Sequence, residues 1–294
     1  MTALLPREVP DLARPSAPPA LRAHDLGLGY AHRTIIDGLD LQPPPGAITA
    51  IVGANGCGKS TLLRGFARLL RPSRGEVTLG AVDISRIPTR EVARTIGLLP
   101  QSPIAPEGLT VAELVGHGRH PHRSILRRHR PEDDQMVADA LDATGTSELA
   151  ARPVSELSGG QRQRVWIAMA IAQCTDILLL DEPTSFLDIA HQMDVLDLVR
   201  EVNLTRGVTV VMVIHDLAMA ARYADHLVAL RDGQIVAAGP PAEVVTEEFV
   251  AAVFGVRARV IADPDTGSPV VLPRPRESAL AQHTPLPVHR EETP

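Results

Sequence analysis

Ile48-Thr-Ala-Ile-Val-Gly-Ala-Asn-Gly-Cys-Gly-Lys-Ser-Thr61 is an apolar run that ends in a glycine-rich turn, and positions 61–70 continue it with helical periodicity. Positions 53–61 fit the spacing G-x-x-x-x-G-K-[ST], with a strand expected before it and a helix after it. Across Gly53, Ala54, Asn55, Gly56, Cys57 and Gly58 the glycines let backbone N–H groups curl round phosphate oxygens, beside the positive end of a helix. Lys59 is then placed to reach β- and γ-phosphates, Ser60 to ligate Mg²⁺, and Thr61 to open the helix. A plain glycine turn is the simpler reading, but it does not account for both flanks. Cys57 occupies a variable position of the loop; near a helix N-terminus its thiol could be reactive, and a tolerated small residue is the blander alternative.

Outward from this stretch, apolar runs of strand length at 48–52, 95–99, 177–180, 208–214 and 227–230 alternate with amphipathic segments of helix length. Continuous Val/Ile/Leu runs of this kind suit parallel strands buried on both faces. The expected class is α/β, a nucleotide-binding core with a mostly parallel sheet. Looser alternation at 21–29, 35–41 and 76–79 predicts a smaller antiparallel sheet at the start. Helical patterns dominate about 105–170, with a basic, proline-broken link at 117–131, so this stretch is expected to be a helical insert. Near the end, Asp263-Pro-Asp-Thr-Gly-Ser268 predicts the turn of a hairpin over about 257–273. Positions 1–20 and 275–294 are Pro-rich and polar, and are expected to be a disordered leader and tail around one domain, 21–274.

Bulk composition narrows the function. The 29 Lys+Arg against 35 Asp+Glu give a net charge of -6, and aromatics are 2% of the chain, which together argue against a nucleic-acid partner. Two cysteines, Cys57 and Cys174, make no disulfide framework. The apolar run at 165–172 is far short of the ~20 residues that cross a bilayer, so any membrane work needs another chain to span it.

Further chemistry collects at expected strand ends, where ligands bind in open α/β sheets. The run at 177–180 leads into Asp181 and Glu182. Asp181 would complete a magnesium shell and Glu182 could polarise an attacking water. Gln101 follows one strand and His215 another, positioned to touch a metal and a γ-phosphate respectively. Taken singly, each would be a surface residue; their order along the chain argues otherwise. A second glycine pair lies in Ser155-Glu-Leu-Ser-Gly-Gly-Gln161, where Ser158 and Gln161 have capping-box spacing. A cap explains those two residues but not Gly159 and Gly160, since glycine in a helix costs ~1 kcal/mol.

With LSGGQ at 157–161, the phosphate loop at 53–61, the acidic strand end at 177–182 and Gln101 between them, the chain resembles the ATP-binding subunits of ABC transporters over about 21–272. The resemblance implies ATP with Mg²⁺, and a head-to-tail dimer with a second copy, in which Ser158, Gly159, Gly160 and Gln161 of one chain close on ATP held by Lys59 of the other. It also implies that Tyr30 stacks on adenine, that Asp188 belongs to the D-loop joining the two sites, and that His215 is the switch histidine. Gly118-Arg-His-Pro-His122, Trp166 within 157–173, Asp188-Ile-Ala-His-Gln192 and Val253-Phe-Gly-Val256 are most similar to the ATPase subunits of bacterial iron-siderophore importers, whose relatives move haem and cobalamin. That implies a peripheral protein at the cytoplasmic face of the membrane, docked on a separate transmembrane permease and served indirectly by a substrate-binding protein. A soluble ABC ATPase acting on nucleic acid or ribosomes is the alternative of another class; the single cassette and the acidic balance disfavour it. The basic residues Arg119, His120, His122, Arg123, Arg127, Arg128, His129 and Arg130 are expected to form a solvated loop beside the permease groove.

Overall fold

The computed structural model describes residues 18–31, 33–123, 131–185 and 187–275. Most of the expected leader, the tail beyond 275, and Arg127, Arg128, His129 and Arg130 lie outside the described residues.

The chain opens with β1 (Leu21–Tyr30) and β2 (Arg33–Leu41), enters the central sheet as β3 (Ile48–Gly53) and turns into α1 (Lys59–Phe66). It continues through β4 (Arg74–Leu79), β5 (Val82–Asp83), α2 (Thr89–Thr95) and β6 (Ile96–Leu99). Three helices follow: α3 (Val111–His117), α4 (Pro131–Ala143) and α5 (Gly159–Ala172). Next come β7 (Ile177–Asp181), α6 (Ile189–Arg206), β8 (Thr209–Val213), α7 (Leu217–Tyr223), β9 (His226–Arg231) and β10 (Gln234–Gly239). Short helices α8 (Pro241–Val244) and α9 (Glu247–Phe254) lead to a hairpin of β11 (Ala258–Ala262) and β12 (Pro269–Pro273).

The central sheet has the order β10-β9-β3-β8-β7-β6, parallel throughout except for the antiparallel edge strand β10. Because side chains alternate across a strand, Leu178, Leu180, Val210 and Met212 join one core with α3 and α5. Ile177, Leu179, Val211 and Val213 join a second core with Leu62, Leu63 and Phe66 of α1 and with the antiparallel sheet β2-β1-β4-β5. Both faces are covered, which is why these strands read as unbroken apolar runs. Each buried Leu or Ile contributes about 1.5–3 kcal/mol. The parallel order places the C-terminal ends of β3, β6, β7 and β8 along one edge, where the phosphate loop and the acidic pair emerge.

Three details depart from the sequence reading. Thr95 ends α2 and does not start β6, its hydroxyl donating back to Glu91 O at 3.0 Å. Strand β10 was not expected; its Ala- and Gly-rich sequence with alternating exposure carries a weak strand signal and suffices only at a sheet edge. The basic link is not solvated at its start: Arg119 and Asp133 are 8% and 2% exposed, with Arg119 Nε 2.9 Å from Asp133 Oδ1. Arg119 Nη1 donates to Ala172 O at 2.9 Å, so the buried charge is paired and hydrogen-bonded across the end of α5.

Candidate active site

The phosphate loop is shaped by residues that only glycine can replace. Gly53 has φ 145°, and a side chain there would meet Leu230 O at 2.1 Å. Gly58, at φ 109°, ends the loop and starts α1. The helical ladder begins with Leu62 N–H donating to Gly58 O at 2.9 Å, leaving the N–H groups of Lys59, Ser60 and Thr61 ahead of it along the helix axis. Lys59 is buried, and its ammonium donates to Gly53 O and Ala54 O, both at 2.9 Å, which draws the loop round it. Gly233 N–H donates to Cys57 O at 3.0 Å, so the β9–β10 turn backs the loop. Cys57 packs in the second core, where burial pushes its thiol up and nearby Lys59 opposes this only in part. That favours the bland reading of Cys57 over a reactive thiolate.

At the neighbouring strand end, Asp181 is 4% exposed and accepts from Ser60 Oγ at 2.8 Å. Burial pushes its carboxyl up, with the Ser60 hydroxyl pulling the other way. Successive side chains of a strand point to opposite faces. Glu182 escapes that rule by adopting φ 54°, a left-handed conformation that costs about 1–2 kcal/mol. Its carboxylate is then held from three sides. Gln101 Nε2 donates to Oε2 at 2.5 Å, Ser185 Oγ donates to Oε2 at 2.8 Å, and His215 Nε2 lies 2.5 Å from Oε1.

An open cavity of roughly 470 Å³ gathers Asn55, Gly56, Gly58, Lys59, Ser60, Thr61, Gln101, Glu182 and His215 along its walls. Four separate stretches of sequence therefore meet at one place. Arg33 and Ile35 at the start of β2 complete the lining and were not anticipated. A single Arg before a β-branched run carries no sequence signal; only the β1–β2 pairing brings it to the loop. Ser185 was likewise missed as a partner of Glu182. Tyr30 ends β1, 43% exposed, and its hydroxyl accepts from Arg64 Nη1 at 3.0 Å.

The second glycine pair lies at the start of α5. Ser158 Oγ accepts from Gln161 N–H at 3.3 Å and Gln161 Oε1 from Ser158 N–H at 3.1 Å, closing the expected capping box. Ser158 and Gly159 are exposed. Asp188 caps α6, its Oδ1 accepting from His191 N–H at 3.0 Å.

Positions 36–185 match the family model described as "ABC transporter". Over 265 residues the chain is 53% identical to the achromobactin transport ATP-binding protein CbrD of Dickeya dadantii (strain 3937), covering 90% of this chain and 98% of that one. The chain belongs to the ABC transporter family. It is also 51% identical over 253 residues to the ferric enterobactin transport ATP-binding protein FepC of Escherichia coli (strain K12), covering 86% and 93%. Among solved structures it is similar to a chain of an ABC transporter described as of metal-chelate type, in an inward-facing conformation, with TM-score 0.76, 30% identity and coverage of 89% and 99%. A dimeric ATP-binding cassette bound to ADP and Pi, MJ0796, gives TM-score 0.67 at 27% identity, covering 75% and 98%. As an ABC ATPase the chain uses nucleotide. Among the described residues no helix is long and apolar enough to cross a membrane.

Proposed function

We propose that this chain hydrolyses ATP to drive import of iron-siderophore complexes, working as a head-to-tail pair docked on a separate transmembrane permease at the cytoplasmic face. The observation that carries the catalytic half is the Glu182 carboxylate, held by Gln101, Ser185 and His215 beside the Ser60–Asp181 pair. The relatives named for achromobactin and enterobactin transport support the cargo class, and a substrate-binding protein would deliver that cargo to the permease.

In this reading Lys59 and the backbone N–H groups from Asn55 to Thr61 bind the β- and γ-phosphates, with Tyr30 against the adenine and Arg33, its partner across the β1–β2 pair, lining the same side. Ser60, Asp181 and Gln101 offer hard oxygen donors, and the burial of Asp181 favours a cation beside it, so the set fits Mg²⁺. When bound, that ion would offset charge on the phosphates. Glu182 accepts the proton of the attacking water as its oxygen bonds to the γ-phosphorus and the bond to the β–γ bridging oxygen breaks. Gln101 and His215 keep the carboxylate aimed. Ser158, Gly159, Gly160, Gln161 and Asp188 of a second copy close the site. ATP then bridges two chains and ADP cannot, so hydrolysis lets them part.

The permease docks, in this account, in the groove where Ile104 lies 90% exposed beside Val154 and Trp166, three residues after Gln101. The same short loop thus carries Ile104 in the groove and Gln101 in the γ-phosphate pocket. The test is uptake of isotope-labelled ferric siderophore by cells carrying Lys59→Ala, with labelled cobalamin and haem as parallel arms. Loss of ferric-siderophore uptake alone is expected; loss confined to cobalamin or haem would reassign the cargo.

A further inference from the structure

We propose that His191 is a positioning residue that locks the D-loop and the LSGGQ loop of one chain into a single unit, so that both reach the ATP of the second copy together. The proposal rests on the head-to-tail reading above.

The two glycines of the loop meet different surroundings. Neither has a left-handed φ, so backbone conformation requires glycine at neither position. A Cβ added to Gly159 would meet nothing within 4 Å, leaving that face open to an approaching chain. A Cβ added to Gly160 would lie 2.8 Å from His191 Cδ2, and 3.2 Å from Cγ and Nε2. An imidazole of the same chain thus occupies the space that a side chain at Gly160 would need.

That imidazole is itself fixed. Asp188 Oδ1 accepts from His191 N–H at 3.0 Å and lies 2.8 Å from His191 Nδ1, so one carboxylate both caps α6 and orients the ring. These bonds hold the Asp188 carboxyl below the usual carboxylate range, the backbone bond contributing most. A second tie joins the same elements: Gln163 Nε2 in α5 donates to Pro183 O at 2.7 Å. The first two turns of α5 therefore rest on the start of α6 and on the segment between β7 and α6, which carries Glu182 and Asp188. Without the ring, the Gln163–Pro183 bond would be left to hold the LSGGQ loop against the D-loop when two chains meet, and displacement by ~1 Å is enough to cost ~100-fold in rate.

The experiment compares Gly160→Ala, His191→Ala and the double variant. Phosphate release is read in the otherwise native chain, and the ATP concentration giving half-maximal dimer by sedimentation is read with Glu182→Gln added. His191→Ala is expected to raise that ATP concentration about three- to tenfold, while the affinity of TNP-ATP for the isolated chain stays within about twofold. Gly160→Ala should slow phosphate release at least ~10-fold, and the double variant should release phosphate faster than Gly160→Ala, since the vacated space accepts the new methyl group. A double variant no faster than Gly160→Ala, or a His191→Ala chain that dimerises like its parent, overturns the proposal. Should Gly160→Ala fail to fold, the dimerisation of His191→Ala decides. If Glu182→Gln alone stays monomeric in saturating ATP, the head-to-tail reading fails as well, a result recognisable because it involves neither Gly160 nor His191.

Discussion

Glu182→Gln separates chemistry from architecture at the carboxylate proposed to accept the water's proton. The amide can keep its carbonyl oxygen toward Gln101 Nε2 and Ser185 Oγ and turn its NH₂ toward His215, whose Nε2 becomes an acceptor by changing tautomer. Shape and bond count survive; the negative charge does not. Charge-assisted bonds are about twice as strong as neutral ones, and the partners are half open to water, so the stability loss is about 1 kcal/mol. A positioned general base, by contrast, supplies roughly 10²–10⁴ in rate, equivalent to about 3–5 kcal/mol of barrier. Phosphate release at saturating ATP and Mg²⁺ should therefore fall at least ~100-fold, with a thermal midpoint lower by only a few degrees. A rate within about threefold of the parent, with a normal melt, would remove Glu182 from the proton-accepting role. A loss of more than about 3 kcal/mol of stability would refute the bond accounting instead.

Lys59→Ala leaves Gly53 O and Ala54 O without their donor as well as removing the proposed phosphate contact; TNP-ATP affinity should drop at least ~100-fold by fluorescence titration, with a modest fall in melting temperature. Removing the charge of buried Asp133, as in Asp133→Asn, should cost about 3–5 kcal/mol in urea unfolding, since Arg119 and Arg123 both lose their carboxylate. Tyr223 donates to Asp197 Oδ1 at 2.7 Å, and burial, then that bond, pushes its hydroxyl up to about 12. Its folded value lies above the unfolded value near 10, so its contribution is intact below about pH 10 and is lost as pH rises through about 12. Tyr223→Phe should cost roughly 1.5 kcal/mol at neutral pH and flatten the alkaline decline in stability.

Much of this fold is legible because the chemistry is local. The phosphate loop declares itself through glycines that need left-handed backbone, and β7 and β8 through apolar runs that only a doubly covered sheet demands. The capping box at Ser158 is likewise written in four consecutive residues. What stays hidden depends on contacts between distant segments. Arg33 reaches the site only through strand pairing, and Ser185 only through the left-handed turn at Glu182. Arg119 reads as one more solvated base until Asp133, fourteen residues on, is seen to neutralise it in the core. Gly160 reads as an opening for phosphate, and its contact with His191 comes from a helix on the far side of β7 in the sequence.

If one ATP is enclosed by two chains, sedimentation velocity of the Glu182→Gln chain with Mg²⁺ will show a dimer in saturating ATP and a monomer in ADP. A chain that stays monomeric in both while binding ATP tightly rules that enclosure out.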